Sequence, residues 1–166
     1  MSTIDDTETA VALIRVDHDL LLDRIDGLSE SELTEPYRPH DGPLGHFCDS
    51  LHDLAAHVLM WSEISLDVLH EARSGRRHWS IEPRWETADV GSALNRAGVR
   101  AGRELPSLLI IERLRWVRDA FDAELASIPR AEWDGADGVG TTLYEAMTPP
   151  GTPPYAHAAL HLGGDA

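Results

Sequence analysis

The stretch Asp49 to Ala72, DSLHDLAAHVLMWSEISLDVLHEA, limits the fold more than any other part of the chain. Leu51, Leu54, Ala55, Val58, Met60, Trp61, Ile64, Leu66, Val68 and Leu69 recur at helical spacing and cover a broad arc. A helix of this length would span ~36 Å at ~1.5 Å per residue. Its apolar surface is wide enough to need two or more neighbouring elements. Asp49 or Ser50 can cap its start. His57 lies on the apolar side, beside Leu54, Trp61 and Ile64. His52 is five residues earlier, rotated by ~140° on a helical wheel, so the two should not share a site. Asp53, one turn before His57, could.

The remaining apolar periodicities predict an all-α chain. Ile4, Val11, Ile14, Leu21, Ile25 and Leu28 form one stripe, with acidic Asp5, Asp6 and Glu8 at its start and Gly27 as a stop. His18 falls in that stripe. It reads either as a core histidine with a hydrogen-bond partner or as a pocket-lining residue. Ser29-x-x-Glu32 has the form of a capping box and predicts a helical turn at 30–34. The prolines and glycines from Pro36 to Gly45 predict a loop of about fourteen residues, a length often associated with function or mobility.

Ala88 to Glu104 reads as a helix weakened by Gly91, Gly98 and Gly102. Pro106 can open the next, whose stripe is Ile110, Leu114, Val117, Phe121, Leu125 and Ile128, with Arg113, Arg115 and Arg118 outside and Pro129 as the stop. Between the helix that ends near Ala72 and the one that begins at Ala88, RSGRRHWSIEPRW carries a basic cluster, Arg73 to Arg77. It reads as cations balancing an acidic surface, or as a receptor for an anionic ligand group with tryptophan walls; the first is favoured. The run DGADGVG matches neither a phosphate-binding frame nor an EF-hand loop. Thr141 to Met147 predicts a short helical turn. The last element, Pro153 to Leu162, follows a stiff TPPGTPP connection and stops at Gly163-Gly164; a helix this short must pack on the rest to persist.

Bulk properties narrow the function classes. At 166 residues, one domain spanning 1–166 is expected. The formal net charge is −15, which disfavours nucleic acid and anionic membrane as partners. All basic side chains are arginines; the chain has no lysine. A single cysteine, Cys48, allows no intramolecular disulfide. No run approaches the ~20 apolar residues of a membrane span, and the acidic N-terminus lacks the order of a signal peptide, so a cytoplasmic location is expected.

The chemistry-bearing pattern is histidine. His157 and His161 are four apart, so their rings leave one helical face and can present two nitrogens to one ion at ~2.0–2.1 Å. The competing reading is two half-buried histidines bonded to carbonyls or water. His57, a polar side chain on an apolar helix face, needs a partner of its own. Together the three would make a set of nitrogen ligands with coordination positions left open, as in catalytic rather than closed structural sites. An all-imidazole set suits Zn, Ni, Cu or Fe. Asp53 is the candidate acceptor for an imidazole N–H of that site.

DLAAHVLMWSEISLDVL, RELPSLLIIERLRWVRDAFDAEL and the terminal TPPYAHAALHL, taken in order with the loop tryptophan, resemble the DinB-like helical bundle superfamily, and within it the ClbS/DfsB-type family. The resemblance runs over nearly the whole chain, on short motifs. It implies a DinB-like four-helix bundle; this chain departs from it in a short C-terminal helix, cut off by Gly163-Gly164, and long loops are expected between the helices. It implies a metal site of His57, His157 and His161, holding a divalent transition metal such as zinc or nickel. Superfamily members include thiol-dependent transferases and isomerases, and many form dimers; ClbS/DfsB-type proteins are associated with hydrolytic self-protection against a reactive natural product.

Three functions therefore stay open. A metal-dependent hydrolase acting on a small molecule would use the histidine site, with His18, Trp61 and Tyr155 lining the pocket. A thiol-dependent transferase or isomerase of the mycothiol type would need a receptor for a low-molecular-weight thiol, for which Arg73 to Arg77 is the one visible candidate. A non-catalytic bundle would dimerise or sequester a ligand. No nucleophile paired with its base is visible in the sequence, so a metal-free covalent mechanism is the weakest reading.

Overall fold

The computed structural model describes residues 7–37, 47–135, 137–149 and 151–163, and among these every regular element is helical. In order they are α1 (Thr7–Ile25), α2 (Glu30–Thr34), α3 (Leu51–Arg73), a 3₁₀ turn (Trp79–Ile81), α4 (Ala88–Gly102), α5 (Ser107–Ala126), α6 (Arg130–Trp133), α7 (Val139–Met147) and α8 (His157–Leu162). No helix among the described residues is long and apolar enough to cross a membrane.

Side chains close the starts of α2 and α3 as the sequence predicts, and that of α4 as well. Ser50 caps α3 by accepting from the Asp53 N–H, and Thr87 caps α4 through the Val90 N–H. At α2 both halves of the capping box form: the Glu32 carboxylate accepts from the Ser29 N–H at 2.8 Å, and Ser29 Oγ from the Glu32 N–H. Ile4, Asp5, Asp6 and most of the Pro36–Gly45 loop lie outside the described residues.

α3 is the hub, as its breadth of apolar surface requires. It packs against α4, α5 and α7, and α5 in turn packs against α1. Leu54, Val58 and Leu69 of α3 meet Ile14 and Leu21 of α1, Leu114, Val117 and Phe121 of α5, and Leu143 of α7 in one continuous core. The glycines of α4 weaken its intrinsic propensity but permit its contact with α3. A methyl group on Gly102 would overlap the Ala56 side chain, and one on Gly98 would overlap Met60. The backbones approach closely here because nothing stands between them.

Arginines tie the outer faces together. Arg118 reaches Asp19 and Arg15 reaches Asp122, both at 2.7 Å, joining α1 to α5; Arg113 pairs with Glu63 of α3. Each exposed pair contributes little alone. Their arrangement keeps the cations of α5 on the outside, where the pattern predicts them.

Three elements differ from expectation. α6 is an additional turn, opened by Pro129 after α5 stops at Ala126. α7 begins at Val139, ahead of Thr141, and Gly140 packs tightly on the Trp133 ring. The last helix is shorter than Pro153–Leu162: Pro153 to Ala156 form a turn in which Tyr155 adopts φ +54°, a left-handed backbone that cannot continue a helix. Only His157 to Leu162 remain helical.

Candidate metal centre

His57 lies in the second turn of α3 and is fully buried. α8 lies across α1 and touches α3, which brings both of its histidines to His57. The ring centroids are 5.0 Å apart for His57 and His157, 4.9 Å for His57 and His161, and 5.2 Å for His157 and His161. One nitrogen from each ring can be chosen so that all three lie within 4.8 Å of one another. His57 Nε2 and His157 Nε2 are 3.1 Å apart. Two nitrogens bound to one ion at ~2.0–2.1 Å would be ~2.9 Å apart at a right angle and ~3.4 Å at the tetrahedral angle, so that separation suits adjacent ligands.

The hydrogen-bond inventory points the same way. Both nitrogens of His161, and Nδ1 of His57, are buried without any hydrogen bond to the protein. Buried polar atoms in folded proteins are nearly always satisfied, because each orphan costs ~1–3 kcal/mol. A structural reading with imidazoles bonded to carbonyls is therefore not what the fold provides. Burial holds the rings neutral: the imidazole of His57 is pushed down to about 3, with a further contribution from His161, and that of His161 to about 4. His157 falls well below the usual histidine value, through burial first and then its two neighbours. Neutral imidazole is the form that binds metal.

α8 has six residues and no capping side chain of its own. Its first turn is held instead by Asp17 of α1. The Asp17 carboxylate accepts from the Ala158 N–H through Oδ2 and from the Ala159 N–H through Oδ1, both at 2.9 Å. These are the donors a helix start leaves unpaired. Burial pushes the Asp17 carboxyl up to about 6, while its bonds to the α8 backbone act in the opposite sense.

Asp17 was not among the residues picked out by sequence, although it lies three residues after Ile14 and four before Leu21 in the α1 stripe. A carboxylate in that position is the signal that could have revealed it.

Asp53 does not serve the imidazoles. Its oxygens accept from the Arg103 guanidinium at 2.9 and 2.6 Å, and Oδ2 also accepts from the Asp49 N–H at 2.8 Å. One turn along the helix is the right spacing, but the competing cation on the α4–α5 connection takes the carboxylate. His52 is apart from the site, as its rotation predicts; Nδ1 meets Ser107 Oγ at 2.5 Å and Nε2 the Gly102 carbonyl at 2.9 Å. Ser107 also bonds Glu30 at 2.9 Å. This serine–histidine contact was not legible in the sequence. It is buried in the helix packing, away from the cavity, and ties α2, α3 and α5 together.

A cavity of about 1080 Å³ adjoins the histidines. His157 belongs to its wall as well as to the cluster, and His18, Trp61 and Tyr155 all line it. His18 Nε2 lies 3.1 Å from Ser62 Oγ, and burial lowers its imidazole to about 4. The Trp61 indole N–H donates to Asn95 Oδ1 at 2.7 Å. Tyr155 is buried, edge-on to Tyr144. Trp79 and Trp85 form part of the wall, as the tryptophan-wall reading of their loop requires.

The Arg73–Arg77 cluster of that loop does not form an anion receptor. Arg73 bonds Glu124 and Glu132, Arg76 bonds Glu71, and Arg77 bonds Glu145. They balance acidic neighbours. Cys48 offers no nucleophile either, since burial and nearby Asp53 and Asp49 push its thiol up to about 12.

Fold and site thus define an all-helical protein with three convergent histidines beside a large cavity. Comparison of the chain with protein-family models, with curated proteins and with solved structures returns no match.

Proposed function

We propose that this protein is a metal-binding helical bundle of the DinB-like, ClbS/DfsB type, acting as a metal-dependent hydrolase on a small molecule held in the cavity. One observation carries the reading: His57, His157 and His161 converge, with both His161 nitrogens and His57 Nδ1 buried and left unpaired by the protein itself. Three imidazoles would hold one divalent transition metal, zinc or nickel best suiting the set. When bound, such an ion supplies Lewis acidity toward a carbonyl or a water molecule.

The chain's own residues do the rest. Asp17 fixes the helix that carries two of the ligands. His157 links the cluster to the cavity, so a molecule bound there lies against the metal side. His18, neutral and held by Ser62, gives the adjoining wall a polar contact.

A second reading, ligand sequestration without turnover, is supported by the aromatic cavity wall, which can retain a molecule whether or not chemistry follows. The thiol-dependent transferase reading loses its anchor, because Arg73, Arg76 and Arg77 are paired with carboxylates.

The test is hydrolysis of neutral aromatic esters and amides by chelator-stripped protein, before and after zinc or nickel is restored. The hydrolase reading predicts turnover that returns with metal and is absent in His157→Ala. Turnover that persists without metal and in that variant would refute it. Retention of the test compounds without turnover would favour sequestration.

A further inference from the structure

The described residues of the cavity wall carry carboxyl groups and no arginine, though Glu145 is paired with Arg77 and Asp17 with the α8 backbone. Among the described residues that form it, the ionisable carboxyl groups are Asp17, Glu86 and Glu145, and no arginine takes part. The chain has no lysine at all. Two wall residues engage Arg77, which reaches the Ile81 carbonyl at 2.5 Å and is neutralised by Glu145 at 2.7 Å. The rest of the wall mixes uncharged polar side chains such as Ser62, Thr87 and Asn95 with apolar and aromatic ones, among them Trp61, Trp79, Trp85 and Tyr144. Trp79 and Trp85 remain 44% and 45% exposed. One of those rings already receives a cation, since the Arg84 guanidinium carbon stands 5.2 Å from the centre of Trp85.

Volume and chemistry together select a ligand. A volume of about 1080 Å³ lies just above the ~300–1,000 Å³ of sites for drug-sized molecules. An anionic ligand would meet the Glu86 carboxylate on a wall to which no described arginine contributes, in a protein of net charge −15. A cation with an apolar body meets aromatic faces and a carboxylate instead.

We propose that this cavity is a binding site for bulky hydrophobic amines, with Glu86 and the faces of Trp79 and Trp85 receiving the cationic group. The proposal names the ligand class of the site described under Proposed function and rests on that reading only for the statement that chemistry follows binding.

Full-length protein is titrated with three dyes of similar bulk: cationic rhodamine 6G, neutral Nile red and anionic 8-anilinonaphthalene-1-sulfonate. Dye anisotropy and quenching of tryptophan emission are read at 0.15 M salt, with metal-loaded and with chelator-stripped protein. The expected result is rhodamine 6G binding at least ~10-fold more tightly than the sulfonate. Glu86→Gln should narrow that ratio, and Trp79→Ala and Trp85→Ala should weaken the cation. Equal or preferential binding of the sulfonate overturns the proposal. So does cation binding that all three variants leave unchanged, the signature of loose attraction to an acidic surface. The dye preference needs no ion, so loss of metal binding with the preference intact would count against the metal reading alone. A reversed preference in protein that still binds metal would count against this one alone.

Discussion

His57 Nε2 and His157 Nε2 stand 3.1 Å apart, although one hundred residues separate them in the chain. The contact exists because α8, too short to be stable alone, is placed against α1 and α3 by contacts outside itself. The account therefore makes the terminal helix, and whatever anchors it, the part of the molecule on which the site depends.

Asp17 is that anchor. Asp17→Ala leaves the Ala158 and Ala159 N–H groups without their acceptor and should cost about 1–2 kcal/mol of stability in urea unfolding. Metal affinity should fall by roughly 10- to 100-fold, as for other residues that orient ligands. Asp17→Asn keeps one acceptor oxygen and removes a costly buried carboxyl, so it should lose less of both. Equal metal affinity in wild type and Asp17→Ala, measured by competition with a chromogenic chelator, would contradict this role.

The contact of α4 with α3 predicts opposite outcomes for two glycines. Gly102→Ala places a methyl group against Ala56 and should destabilise by about 1–3 kcal/mol. Gly91→Ala meets open space within the same helix and should be neutral or stabilising by up to ~1 kcal/mol. Thermal unfolding of the two variants side by side is the check; equal effects would mean that α4 does not press on α3 at Gly102.

Metal-free protein should lose stability as pH falls below about 6.5. His18 and His161, each lowered to about 4, stay neutral in the fold but take up protons in the unfolded chain below its ordinary value of 6.5. The unfolded state then binds more protons, and stability drops through the window from about 6.5 to about 4. His18 alone corresponds to about 3 kcal/mol over that range. Asp17 acts in the opposite direction. Its value is raised from 3.8 to about 6 in the fold, so its cost at neutral pH is relieved as pH falls. One carboxyl offsets only part of several imidazoles. The urea midpoint should therefore decline steadily from pH 6.5 to 5, and a midpoint that is flat or rising would contradict the neutral, buried state of these rings.

Periodicity made the helices legible, and capping residues made several of their starts legible, because both signals are local. The ligand set was legible for a related reason: His57 interrupts an apolar arc, and His157 and His161 repeat at one helical turn. The partners of the carboxylates were not. Asp53 has the right spacing to assist His57, yet Arg103, fifty residues away, takes it. Asp17 serves α8 from the far end of the chain, and only its place in an apolar stripe hints at that. Tyr155 ends the would-be longer helix through a left-handed backbone that no local rule assigns to tyrosine. Each of these outcomes is set by the tertiary fold, and spacing along the sequence carries no record of that.

Metal content of the purified chain, prepared without a histidine tag, tests the central claim most directly. After exposure to zinc or nickel and exhaustive dialysis, the account predicts one ion per chain, lost in His57→Ala, in His157→Ala and in His161→Ala. It predicts retention in His70→Ala, whose ring lies at the surface beside Glu124. A chain that holds no stoichiometric ion, or one that keeps its ion in all three variants, would contradict it.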